Sequence, residues 1–129
     1  MEEDMISTTV MQQLGDKLGA SNVISEKEDL LVLGYDSTPG LHAMPDIVVY
    51  PTDSEQVQAI MQIARDHKIP VTPRGSGTGL SGGSIPVNGG IVICLNKMNK
   101  ILEIDEENLT ATCQAGVVTL DLFNAVAEK

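Results

Sequence analysis

The chain has no tryptophan, a single phenylalanine and two tyrosines among its 129 residues. A protein that reads bases or sugars by stacking them needs aromatic platforms, and this one has almost none. Basic residues are scarce as well: 8 Lys and Arg stand against 18 Asp and Glu, a formal net charge of −10. Neutralising a phosphate backbone needs clustered Lys and Arg, so nucleic acid is excluded as a partner. No run approaches the roughly 18 apolar residues that a membrane span requires. The start, MEEDMISTTV, is acidic and lacks an apolar core, so it does not read as a signal peptide. Only two cysteines are present. Cys94 and Cys113 fall in predicted strands, where buried reduced thiols are expected, and the expected compartment is the cytoplasm. What is present is ordinary globular material, 42% apolar and 20% charged, enough for one hydrophobic core.

Local patterns lay out an α+β chain. Val10, Met11, Leu14 and Leu18 recur at helical spacing over residues 8–18, with Ser7 or Thr8 as N-cap and Gly19 as terminator. Polar residues 25–29 lead into the apolar run 30–33, and residues 34–44 read as a loop punctuated by Pro39-Gly40. Ile47–Tyr50, between two prolines, predicts a short buried strand. Thr52 and Glu55 fit a capping box for an amphipathic helix that presents Val57, Ile60, Met61 and Ala64 and runs to about His67. Ile69–Thr72 predicts a second strand, completing a strand–helix–strand unit whose strands should be parallel. A third strand follows at Ile91–Leu95, after the Asn88-Gly89-Gly90 turn. Ile101–Ile104 and Thr110–Gln114 then predict a hairpin, and residues 119–127 a helix with Leu120, Phe123 and Val126 on one side. The chain stops inside that helix, so the expectation is a first subdomain over about 1–95 and the beginning of a second, mainly antiparallel one over about 96–129.

The segment PRGSGTGLSGGSIP, residues 73–86, has five glycines between Arg74 and Ser84. Glycine is costly to order, so such density needs a reason. Successive amides can all point inwards only where the backbone visits positive φ, and that arrangement is an anion-binding nest. Ser76, Thr78 and Ser81 add hydroxyl donors, and Arg74 adds charge at the entrance, to face a phosphate or to anchor the loop. A flexible Gly/Ser linker has similar composition, but Pro73 and Pro86 bound this loop and apolar strands flank it. No Lys follows the glycines, which excludes a Walker A loop. Gly77–Gly82 does satisfy GxGxxG, with Glu103 about twenty residues on, but that dinucleotide fingerprint must open a helix. Here Gly83-Ser84-Ile85-Pro86 and a turn follow instead.

This loop, together with the preceding MPDIVVYPTDSEQVQAIMQIARDHKIPVT, resembles the start of the FAD-binding domain of the vanillyl-alcohol-oxidase or PCMH type. The likeness extends through ILEIDEENLTATCQAGVVTLDLFNAV and is strongest to the FAD subunit of glycolate oxidase and the D-lactate and D-2-hydroxyglutarate dehydrogenases. The resemblance implies an α+β PCMH-type fold, a strand–helix–strand subdomain followed by an incomplete antiparallel one. It also implies a flavin-dependent oxidoreductase of 2-hydroxy acids, passing a hydride from the hydroxyl-bearing carbon to flavin N5. On that basis Pro73, Arg74, Gly75, Ser76, Gly77, Thr78, Gly79, Leu80 and Ser81 would meet the FAD pyrophosphate, chiefly through the amides of residues 75–79. Some relatives carry at the position of Thr78 a histidine that bonds the flavin covalently. Threonine cannot do so, which implies non-covalent FAD. Such enzymes continue with a second glycine-rich stretch and a substrate domain, neither of which is in this sequence, and no catalytic base is assignable in it.

His42 and His67 lack companions for a metal site, and His67 suits a helix C-terminus. Asp105-Glu106-Glu107 reads as a solvated hairpin tip, and the loop hydroxyls have no base partner for nucleophilic work. The alternative is a truncated, non-catalytic module that binds nucleotide weakly or self-associates through apolar surface on its last strands and helix.

Overall fold

The computed structural model describes residues 6–127. The acidic start at residues 1–5 and the terminal Glu128 and Lys129 lie outside them. A four-stranded sheet carries the first part of the chain. In chain order its elements are α1 (Thr8–Leu18), β1 (Val23–Ile24), α2 (Lys27–Leu31), β2 (Ile47–Val49), α3 (Ser54–His67), β3 (Val71–Arg74) and β4 (Ile91–Cys94). A separate antiparallel hairpin, β5 (Ile101–Asp105) and β6 (Thr110–Cys113), and then α4 (Thr119–Ala127) complete it.

The strand order is β1-β2-β4-β3, with β1 antiparallel to β2 and with β2 and β3 each parallel to β4. The expected parallel unit is present, but its two strands are not neighbours, because β4 lies between them. Period-2 alternation then sorts the side chains into two cores. Ile47, Val49, Ile91 and Ile93 face α1 and α3 with Val10, Leu14, Ile60 and Ala64. Val48, Val92 and Cys94 face the other way, against Leu30 of α2. Strands covered on both faces read as continuous β-branched runs, as these do.

Several local expectations shift by a residue or two. The N-cap of α3 is Asp53, whose carboxylate accepts from the Gln56 amide at 2.8 Å, while Gln56 Oε1 accepts from the Thr52 amide at 2.9 Å. The box is therefore Asp53 with Gln56 rather than Thr52 with Glu55, in keeping with aspartate's stronger capping preference. The buried face of α3 uses Ile60, Ile63 and Ala64, and Met61 is exposed. Strand β3 starts two residues later than expected, because the amide of Ile69 caps Ala64 and Lys68 takes the left-handed conformation that ends the helix. Residues 27–31, where the sequence predicts a polar stretch leading into an apolar run and no helix, form a short helix. Cys94 is buried as expected, but Cys113 is exposed, since both faces of β6 are open.

Gly90 ties the sheet together at one end. Its carbonyl accepts from the amides of Asp46 and Ile47, its φ is 77°, and an added Cβ would run into the Pro70 carbonyl. All three parallel strands begin beside it.

Replacing Asp53 by Ala is expected to destabilise the chain by about 1 kcal/mol in urea unfolding, and Thr52→Ala by clearly less. Equal losses would return the cap to Thr52.

Candidate functional site

The parallel pair β3–β4 ends at the register Arg74–Cys94, and the chain leaves both strands on the same side. Past those carboxyl ends lies a cleft of about 310 Å³. It brings together Gly75, Ser76 and Thr78 after β3, Asn96 after β4, and residues 115–120 at the entry to α4. Crevices outside the carboxyl ends of parallel strands are the usual ligand positions of such sheets. The turn at residues 115–118 is drawn in tightly: the Gly116 amide donates to the Met98 carbonyl at 2.8 Å, and a Cβ there would strike the Leu95 carbonyl.

The glycine-rich connection runs from Gly75 to Gly90 with no helix, so the dinucleotide-fingerprint reading is excluded by geometry as well as by sequence. The fold itself requires some of its glycines, while Gly75 and Gly83 have neither positive φ nor a close neighbour, and of those two only Gly75 lines the cleft. Gly77 and Gly82 have φ of 73° and 70°, where a side chain is strained. A Cβ on Gly77 would enter the Arg74 guanidinium. Gly75, by contrast, has no positive φ and nothing within 4 Å of where its Cβ would stand, yet it lines the cleft. The space that its missing side chain leaves is open to a ligand.

Arg74 does not project outwards. It is 6% exposed, its Nη1 donates to the Tyr35 carbonyl at 2.7 Å, and its Nε is buried without a hydrogen-bond partner. Of the two roles open to it, the structure has it anchoring the loop, with its charge kept beneath Gly77. Of the other expected site residues, Pro73 belongs to β3, Gly79 is tied through its carbonyl to the Ser37 amide at 3.0 Å, and Leu80 and Ser81 are exposed.

The sequence reading did not single out Asn96, residues 115–120 or the segment 35–38. Asp36 is 9% exposed. Its carboxyl is held below the ordinary 3.8, first by hydrogen bonds from the side chain and amide of Thr38, with Ser84 and the Arg74 charge contributing less. Asp36-Ser37-Thr38 has the pattern of an Asx turn, a signal legible in sequence, but nothing in the sequence says what the turn faces.

A larger hollow of about 410 Å³ lies between the hairpin and α4. Ile104, Leu109, Ala111 and Val126 make it apolar, and the Asp105 and Glu106 at its rim disfavour an anion. Leu120 and Phe123, also on α4, are more than half exposed. Neither histidine approaches the cleft. No helix among the described residues is long and apolar enough to cross a membrane.

With this geometry in place, comparisons with known proteins are informative. Residues 45–129 match the family model described as FAD binding domain. The chain is 46% identical over 125 residues to the glycolate oxidase subunit GlcD of Bacillus subtilis, covering 97% of this chain and 27% of that protein. It is 35% identical to the D-2-hydroxyglutarate dehydrogenase of Stutzerimonas stutzeri with the same coverage. It is also 46% identical over 80 residues to the D-lactate dehydrogenase of Anaerostipes hadrus, covering 62% of this chain and 17% of that one. Among solved structures, substrate-bound p-cresol methylhydroxylase superposes with a TM-score of 0.85 at 30% identity, over 99% of this chain and 25% of that one. The chain thus spans about a quarter of the length of the first two relatives and of that structure.

Two outcomes test this geometry. Gly77→Ala is expected to cost on the order of 1–3 kcal/mol in urea unfolding, from left-handed strain plus the clash with Arg74. Arg74→Ala should recover the clash portion in a double-mutant cycle. For Asp36, a depressed native pKa means that its stabilisation is complete above the ordinary value and lost as pH falls through the native one. Acid titration below about pH 4 should therefore destabilise the wild type more steeply than Asp36→Asn.

Proposed function

The chain belongs to the FAD-binding domain family, with the PCMH-type fold, and on that premise we propose that its glycine-rich loop holds the pyrophosphate of FAD. The observation that carries the proposal is Gly75, a cleft-lining glycine that neither its own backbone nor any neighbour requires. Gly75, Ser76, Gly77, Thr78 and Gly79 offer amides to the diphosphate. Ser76, Thr78 and Ser81 offer hydroxyls, and Pro73 sets the entry while Leu80 continues the loop. Arg74 supplies positive charge from below, which lowers the cost of holding a dianion in a chain whose net charge is −10. Thr78 lines the cleft but has no group that can bond to a flavin, so the cofactor is held non-covalently.

FAD, when bound, supplies a two-electron acceptor, and the residues described here bind and orient it. The proposed role is the FAD-binding part of an oxidoreductase of 2-hydroxy acids of the glycolate or D-lactate type. Support comes from the relatives, each named for such an acid. The proposal divides the chain near residue 95, where the four-stranded sheet ends and the hairpin with α4 begins. The two free cysteines suit a reducing compartment such as the cytoplasm. The open apolar side of α4 is the surface on which self-association or another oxidase subunit would draw.

Fluorescence titration with FAD tests the core of this reading. Saturable binding with Kd of about 1–10 μM is expected, weakened about a hundredfold or more by Gly75→Leu, which fills the cleft without straining the fold. Failure of the wild type to bind at about 1 mM FAD would sink it.

A further inference from the structure

The segment 35–38, far from the glycine-rich loop in sequence, is bonded to it along most of its length. The Tyr35 carbonyl accepts from Arg74 at 2.7 Å, and the Ser37 amide donates to the Gly79 carbonyl at 3.0 Å. Thr38 Oγ1 accepts from the Gly82 amide at 2.8 Å, and Asp36 Oδ2 accepts from Ser84 Oγ at 3.4 Å. The Thr38 amide in turn donates to Asp36 Oδ1 at 2.8 Å. So one short turn grips the loop at points from its root at Arg74 to Ser84.

This arrangement bears on ligand binding for a thermodynamic reason. A glycine-rich segment has the most backbone freedom to lose, and a ligand that must order it binds more weakly by that amount. A segment already held in place presents its amides without that cost. The grip uses groups outside the cleft lining: neither Asp36 nor Thr38 is part of it. Asp36 is nearly covered, and a carboxylate covered to that degree is retained at a cost in solvation unless its hydrogen bonds repay it.

We propose that Asp36 and Thr38 are positioning residues for the cofactor, holding residues 77–84 in their anion-receiving conformation before it arrives and without touching it. This inference rests on the reading that the loop receives FAD. Thr38 is the central element, since its hydroxyl bonds directly to a loop amide and its own amide fixes Asp36. Arg74 ties the root of the loop to the same turn.

The test compares the full chain with Thr38→Val, Thr38→Ser and Asp36→Ala by FAD titration, thermal melting and amide hydrogen exchange of the FAD-free protein. Thr38→Val and Asp36→Ala are expected to weaken FAD by about tenfold each and to speed exchange at residues 77–84. Thr38→Ser, which keeps the hydroxyl, should restore both. A merely structural role would lower the melting temperature while leaving the FAD affinity of the folded fraction and the local exchange unchanged, and that result overturns the inference. The exchange measurement needs no cofactor. If the wild type fails to bind FAD, the proposed function falls, whereas unchanged protection of 77–84 in Thr38→Val removes the positioning claim by itself.

Discussion

Everything in this molecule follows from the placement of β4 between β2 and β3. Because β3 and β4 are parallel neighbours, the chain must leave the carboxyl end of β3 and return to the amino end of β4 before it can pair. Parallel neighbours are normally joined by a helix. Here the return is made by residues 75–90 without one, and connections longer than about 12–15 residues with no regular structure are uncommon and usually functional. In the proposed function, the crossover itself is the binding loop. Gly90 closes the return, its carbonyl serving β2 while its amide meets Asp46, so that the loop's far end is fixed to the start of the sheet.

The loop is held at its other points by the turn at 35–38, and this explains how a segment with so much glycine can have a defined path. Arg74 reaches back beneath Gly77, and Thr38 fixes Gly82. The positive φ at Gly77 and Gly82 is then a requirement of that path rather than a sign of looseness. Gly75 stands apart from them, with no positive φ, open space where a Cβ would stand, and a place in the lining of the cleft. The same cleft borrows Asn96 and the 115–120 turn from the part of the chain beyond the first sheet, and the close contact of Gly116 with Leu95 and Met98 sets their distance.

Charge is arranged locally rather than globally. A chain of net charge −10 repels an anion on average, but the cleft is lined by backbone, hydroxyls, an amide side chain and apolar groups, with one buried guanidinium beneath. The larger hollow under α4 has the opposite character, apolar with acidic side chains at its rim. The size of a cavity therefore says little here, and the groups that line it decide which of the two suits a diphosphate.

The elements themselves, and the family resemblance of the glycine-rich stretch, were legible in the sequence because they depend on neighbours along the chain. The 3.6-residue spacing from Val10 to Leu18, the β-branched runs at 47–49 and 91–94, and the density of glycine after Pro73 are local signals. Even the misplaced cap, Thr52 for Asp53, erred by a single position within one turn. What the sequence left open depends on partners tens of residues away. The position of β4 in the sheet, the inward turn of Arg74 and the grip of Asp36 and Thr38 on the loop are settled only when the sheet forms. The exposure of Cys113 is of the same kind, because a strand's burial depends on whether anything packs on it. Hydrophobic period fixes what a segment becomes, whereas its neighbours in space are chosen by which burial and hydrogen-bond pairings can be satisfied together.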